Sequence, residues 1–161
     1  MKATYIRIFF DIIASGLSWV LFFYYRKTEI EEVPFEVSET LLYGTLGVTC
    51  LWLSIYILSG NYLDVRRASR LNELYRTTTQ SIIGCFIIFF CLIIDDIDNY
   101  KDYTVYYQAI IALITIHFTI TFFIRYILTN SMVKQIQNQK IGFNTIIIGN
   151  SKEIEKVIKS I

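Results

Sequence analysis

Charged residues are scarce in this chain, at 18% of its 161 residues, whereas soluble domains carry roughly 25%. They are nearly absent from four long apolar stretches and are concentrated between those stretches. A helix needs about 20 mostly apolar residues to cross roughly 30 Å of bilayer hydrocarbon. The distribution therefore argues against a soluble globular domain and predicts a multi-pass membrane protein. The net charge of +1 does not identify a partner.

Motifs for catalysis, metal binding and dinucleotide binding are also missing from the sequence. There is no G-x-S-x-G, no H-E-x-x-H and no Walker-type glycine loop. The three cysteines all lie in apolar stretches without a C-x-x-C pair, which favours small membrane-facing residues over a metal or redox site. We therefore assign no catalytic, cofactor-binding or metal-binding residue to this chain, and nothing in it points to nucleic acid.

The four apolar stretches predict transmembrane helices at residues 5–25, 41–59, 78–94 and 104–128. The first stretch ends in a group of aromatic residues, which is typical of a membrane interface. It lacks a small-residue cleavage site after a short apolar core, so we expect a retained helix and not a signal peptide. The predicted fold of residues 1–128 is an all-α bundle of four transmembrane helices.

Lysine and arginine are unevenly distributed among the segments that connect these stretches. The N-terminal tail, the connection after the second stretch (with four arginines) and the segment after the fourth stretch are basic. The connection after the first stretch carries five glutamates, and the one after the third carries four aspartates around a single lysine. Because cytoplasmic loops are enriched in lysine and arginine, we predict that both termini lie in the cytoplasm.

Two charged residues, Arg7 and Asp11, fall within the first predicted helix. A carboxylate at the centre of a membrane costs about 2.5–3.5 kcal/mol or more, so Asp11 is a candidate for function. Since residues four apart share a helix face, we predict an embedded ion pair between Arg7 and Asp11. The alternative is a lipid-headgroup or substrate contact by Asp11.

His117 is the only histidine and lies near the middle of the fourth predicted helix, among threonines. We predict that it forms hydrogen bonds between helices. A role as a proton relay is the weaker alternative, because we expect no second histidine or carboxylate at its depth. Arg125, at the end of the same helix, is predicted to be an interfacial anchor.

The arginine-rich connection contains Arg66, Arg67 and Arg70, which could contact a lipid phosphate. If residues 62–76 are helical, Tyr62 and the neighbouring apolar residues would lie towards lipid with the arginines beside them. The alternative is that these arginines only determine the membrane topology.

After the fourth apolar stretch the chain becomes polar. Residues 129–140 are predicted to be a linker or a helical extension. Residues 141–161 contain a β-branched run closed by Gly149 and followed by an amphipathic helix, which predicts the first βα unit of a Rossmann-like domain. That turn lacks the second and third glycines of G-x-G-x-x-G, so we do not predict a dinucleotide. One βα unit buries too little surface to be stable alone, and we expect the chain to be a fragment of a longer protein.

The order of these features resembles one family. The stretches LSGNYLDVRRASRLNEL and KIGFNTIIIG, following four spans, resemble the N-terminal part of the large polyprenyl-phosphate hexose-1-phosphate transferases of bacteria. The resemblance implies a protein of the bacterial cytoplasmic (inner) membrane that transfers a sugar 1-phosphate from a UDP-sugar to undecaprenyl phosphate, with magnesium, in exopolysaccharide, capsule or O-antigen synthesis. It also implies that catalysis belongs to a C-terminal domain beyond residue 161, so no catalytic residue is carried over.

The resemblance therefore implies an accessory membrane module, with membrane lipid, undecaprenyl phosphate and a second copy of the chain as the expected partners. Two other functions stay open. One is a self-standing four-span flippase or transporter for lipid-linked sugars, and the other is a membrane assembly or sensor subunit. A transporter should gather polar groups at mid-membrane, and we expect Asp11 and His117 to be too far apart for that.

Overall fold

The structure, a computed structural model, describes residues 2–63, 69–95 and 103–138 of the chain. These residues form four long helices: α1 (Lys2–Tyr25), α2 (Glu39–Leu58), α3 (Arg70–Asp95) and α4 (Tyr103–Gln137). A π-helical segment (Arg26–Ile30) extends α1, and the side chain of Ser38 accepts a hydrogen bond from the backbone N–H of Leu41 at the start of α2. The described part of the chain contains no strand.

All four helices are long and apolar enough to cross a membrane. The shortest, α2, has 20 residues, which corresponds to about 30 Å at 1.5 Å per residue. Their outward faces carry large apolar side chains, including Phe9, Leu46, Phe90 and Phe123. The predictions of four spanning helices and of a multi-pass membrane protein are confirmed.

Two helices, α3 and α4, extend well beyond the predicted spans. The third begins at Arg70 and not near residue 78, so part of the arginine-rich connection is helical. The fourth continues to Gln137, so residues 129–137 are a helical extension and not a loop-like linker. The predicted βα unit at residues 141–161 lies outside the described residues.

The helices form an up-down-up-down bundle in which α1 packs against α2 and α4, and α3 packs against α4 and α2. Arg7 near the start of α1 contacts Glu73 near the start of α3, and Asp11 contacts Arg125 in the second half of α4. We call this the terminal end of the bundle. The opposite end, where α1 leads into α2, is the connection end.

The interior of the bundle changes character between these two ends. Towards the connection end it is mostly apolar and contains Trp19, Phe22, Leu41, Ile88 and Leu113. Towards the terminal end the buried side chains are polar or charged, from Asp11 in α1 to Thr129 in α4. Because a membrane-spanning chain cannot gain stability by hiding apolar surface from lipid, polar contacts and close packing must hold the helices together here.

Candidate functional site

Four charged side chains are buried together at the terminal end of the bundle. Arg7 and Asp11 come from α1, Glu73 from α3 and Arg125 from α4, and none of the four residues is more than 4% exposed. The group contains two positive and two negative charges, so it is balanced. Such balance matters because an unpaired buried charge would cost several kcal/mol.

The pair formed by Asp11 and Arg125 is bidentate. Nε of Arg125 donates to Oδ1 of Asp11 at 2.9 Å, and Nη2 donates to Oδ2 at 3.1 Å. The guanidinium also lies over the ring of Tyr56, with Cζ 4.1 Å from the ring centroid. A planar guanidinium suits both contacts, since it can fork onto a carboxylate and stack on an aromatic face.

The second ion pair joins Arg7 to Glu73. The other carboxylate oxygen of Glu73 accepts from the hydroxyl of Thr129 at 3.4 Å. Nη1 of Arg125 lies 3.8 Å from Oε1 of Glu73, so the two ion pairs are adjacent. Together they connect α1, α3 and α4.

Two amide side chains join the segment after α2 to this network. Asn61 and Gln80 exchange hydrogen bonds of 2.9 and 3.0 Å, and Gln80 also accepts from Nη1 of Arg125 at 3.0 Å. Both amides are at most 5% exposed. Gly60 has a positive φ of 68°, which glycine adopts without strain. The turn at Gly60 directs Asn61 into the bundle.

Tyr62 lies just after Asn61 and closes the network. Its hydroxyl donates to Oδ2 of Asp11 at 2.9 Å. Burial, followed by the negative charge of Asp11, raises the pKa of Tyr62 well above its ordinary value. The phenol therefore keeps its proton at physiological pH and remains a donor to Asp11.

His117 lies next to the ion pairs, deeper in the bundle. Its Nδ1 is 3.0 Å from the hydroxyl of Ser81 on α3, and its Nε2 is 3.0 Å from the hydroxyl of Tyr56 on α2. The ring stacks on Trp52 with a centroid distance of 3.5 Å and an interplanar angle of 7°. The prediction that His117 forms hydrogen bonds between helices is confirmed.

The structure gives other predicted site residues different partners. The Arg7–Asp11 ion pair is not seen: Arg7 pairs with Glu73 and Asp11 pairs with Arg125, since α3 and α4 each bring an opposite charge to the inner face of α1. Arg125 is not an interfacial anchor, because it is fully buried. Tyr62 faces Asp11 and not lipid.

The predicted lipid-phosphate site is only partly described. Arg66 and Arg67 lie outside the described residues. Arg70 is exposed at the start of α3, and its Nη2 donates to Oδ1 of Asn130 on α4 at 2.7 Å. This contact joins the ends of two helices, and the proposed phosphate contact by the three arginines stays a prediction.

Sequence reasoning overlooked most of the network, although α4 contains a signal for it. Leu113, His117, Thr121, Arg125 and Thr129 recur every four residues, and all five are buried. A polar stripe at this spacing on an apolar helix predicts an inward face that bonds to other helices.

The network holds the helices together through ion pairs and hydrogen bonds, and the described residues contain no candidate metal site. No group of three or more histidine, cysteine, aspartate or glutamate residues there could hold a metal ion. The charges are paired with one another and nearly inaccessible, as charges inside membrane-spanning segments usually are when they face the interior of a bundle.

The comparisons with known proteins add no family to these observations. No family model, no curated protein and no solved structure matches this chain. The structural findings are therefore those of a multi-pass membrane protein with four spanning helices and a buried, charge-balanced polar network.

Proposed function

We propose that this chain is the membrane-anchoring and accessory module of a sugar transferase that transfers a sugar 1-phosphate from a nucleotide sugar to undecaprenyl phosphate. The ordered resemblance of the four spans, the arginine-rich connection and the KIGFNTIIIG stretch supports the family. In this proposal the catalytic domain lies outside the chain, and magnesium belongs to that domain.

The closed polar network is the observation that carries the accessory role. Every charged member has an ion-pair partner, and none is open to solvent or lipid. An anchoring module requires helices that stay in one arrangement, and paired charges between three helices supply that. A carrier, in contrast, must open a polar path during each transport cycle.

The transporter remains the second candidate because a specific observation favours it. The expectation that polar groups would not converge is wrong: Asp11, Arg125 and Gln80 are directly bonded, and Tyr56 connects them to His117 through ring and hydroxyl contacts. Intramembrane polar clusters of this kind also occur along transport pathways.

The two functions predict opposite changes in the lipid-linked sugar. The test is deletion of the coding region in its bacterial host, followed by incubation of membranes with labelled UDP-sugars and extraction of the lipid fraction. Loss of a transferase should lower the labelled sugar on undecaprenyl phosphate, whereas loss of a flippase should make lipid-linked sugar accumulate in whole cells.

Complementation supplies the control for this experiment. The complete coding region should restore the labelled lipid, and a Glu36→Gln version should do so equally, because Glu36 is exposed and far from the network along the chain. Unchanged lipid-linked sugar in the deletion strain would contradict both functions and favour an assembly or sensor subunit.

A further inference from the structure

The outward face of α4 carries polar side chains among large apolar ones. Gln108, Thr115 and Thr119 are exposed and lie within the spanning helix. At 3.6 residues per turn, the three fall within about 40° of one another around the helix axis. They lie opposite the side of α4 on which Leu113 and His117 are buried. In a single bundle these polar groups therefore face lipid, whereas polar groups in membrane helices usually face other helices.

The hydroxyls of Thr115 and Thr119 differ from other hydroxyls on the outer surface of the bundle. On α2 and α3, Ser54, Thr78 and Thr79 each donate to the backbone carbonyl four residues earlier, at 2.8, 2.8 and 3.0 Å. Within the described part of the chain, the side chains of Thr115, Thr119 and Gln108 have no hydrogen-bond partner. Because hydrocarbon offers neither donors nor acceptors, these groups favour contact with another protein surface.

The spacing of the polar residues is that of a helix-packing seam. Steps of four and three residues alternate along one line of α4, which we call the α4 seam: Gln108, Ala112, Thr115, Thr119, Phe122 and Tyr126. This heptad pattern lets a second helix pack along the whole line at a crossing angle of about 20°. Alanine and threonine are small enough for two membrane helices to approach closely there.

The unpartnered groups of the α4 seam are complementary to themselves. An amide and a hydroxyl can each donate and accept a hydrogen bond, so each can pair with an identical group. Two copies inserted in the same direction are related by a twofold axis along the membrane normal, which brings each seam residue opposite its counterpart. A different protein would need matching polar groups at three depths, whereas a second copy supplies them by symmetry.

We propose that two copies of this chain associate through the α4 seam. Gln108, Thr115 and Thr119 each form a hydrogen bond with the same residue of the second copy. Within one bundle, α4 packs against α1 and α3 through its other side, so association leaves the buried polar network unchanged. The interface does not depend on the proposed function, since its evidence is confined to the surface of α4.

The first test is sedimentation equilibrium of the full chain in density-matched detergent. We expect a dimer, and the combined variant Gln108→Met, Thr115→Val and Thr119→Val should raise its dissociation constant about twentyfold. Each hydrogen bond between membrane helices contributes about threefold, and the variant removes three while keeping side-chain size. Because the replacements face lipid in one bundle, the thermal denaturation midpoint of the dilute, monomeric chain should not fall.

A matched combined variant serves as the control. Ser54→Ala, Thr78→Val and Thr79→Val also remove three outward hydroxyls, but those hydroxyls bond within their own helices. We expect the dimer dissociation constant to stay the same. A chain that is monomeric at every concentration, or equal weakening by the two combined variants, would overturn the proposal.

Disulfide cross-linking in membranes tests the same contact without weakening it. In a chain whose native cysteines are replaced by alanine, Thr115→Cys should form a linked dimer on oxidation, since a disulfide requires Cα atoms within about 7 Å. Gly47→Cys, at an open position on the outer face of α2, should not. Equal cross-linking at the two positions would overturn the proposal. Linkage of Thr115→Cys to a different protein would also overturn it, since the seam would then belong to another partner.

Discussion

Gly84 shows how a single residue controls the packing of this bundle. A Cβ atom placed there would overlap the six-membered ring of Trp52 and would lie 3.1 Å from Cδ1 of Ile55. Trp52 in turn stacks on His117, so its ring cannot move without disturbing the hydrogen bonds of the histidine. Glycine at this position therefore allows α3 to approach α2 closely, as small residues do between membrane helices.

We expect Gly84→Ala to lower the thermal denaturation midpoint of the purified chain by several degrees, because overpacking a filled interior costs about 1–3 kcal/mol. The matched control is Gly47→Ala. Gly47 also lies in a spanning helix, α2, but no neighbouring atom lies within 4 Å of the added Cβ. That change should leave the midpoint unchanged or raise it slightly. Equal midpoints for the two variants would show that Trp52 yields easily.

Individual residues also show what the sequence could and could not predict. Asp11 is recognisable as unusual because a carboxylate inside an apolar helix is costly. Its partner is not recognisable, because Arg125 lies 114 positions away along the chain and the chain reverses direction three times between the two residues. The nearer cation, Arg7, is a plausible partner by helix spacing, but the fold supplies Glu73 to it instead.

At the level of helices, the ion pair between α1 and α4 is the main polar contact. Asp11 and Arg125 are both fully buried, and their two hydrogen bonds are 2.9 and 3.1 Å long. The apolar lengths of α1 and α4 could be predicted from composition, but the early start of α3 could not. Arg70, Glu73 and Arg76 give its first two turns a polar composition, and burial of Glu73 depends on charges from other helices.

We expect Asp11→Leu and Arg125→Met each to destabilise the bundle by about 3–5 kcal/mol, since each leaves a buried charge without its partner. The double variant should lose less than the sum of the two single losses, because it removes both charges together. The measurement is a double-mutant cycle by reversible denaturation in detergent. Arg70→Met is the control, since its exposed contact with Asn130 should contribute about 0.5 kcal/mol or less.

Additive losses in this cycle would contradict the direct pairing of Asp11 with Arg125. A loss confined to Asp11→Leu would indicate instead that the carboxylate matters through Tyr62, whose hydroxyl also donates to it. A large loss in Arg70→Met would show that the detergent-solubilised bundle depends on its exposed end and not on the buried network.

At the scale of the whole molecule, the bundle has two chemically different ends. The terminal end contains the buried ion pairs and the exposed Arg70, while the connection end contains the buried aromatic residues Trp19 and Phe22 and the glutamates of residues 29–39. The described chain also begins and finishes at the same end, since four antiparallel spans return it there. The sequence indicates the number of spans and their alternating direction because composition and charge distribution are properties of whole segments. The contacts inside the bundle depend on the fold, so the sequence does not indicate them.

The orientation of these two ends in the membrane can be measured directly. Alkaline phosphatase, which is active only after export from the cytoplasm, can be fused after Val37 in one fusion protein and after Gln137 in another. We expect activity from the first fusion and none from the second, because basic residues are retained on the cytoplasmic side. A fusion after Leu63, at the same end of the bundle as Gln137, is the internal control and should be inactive. Activity after Gln137 with none after Val37 would show the reverse orientation, with the connection end on the cytoplasmic side.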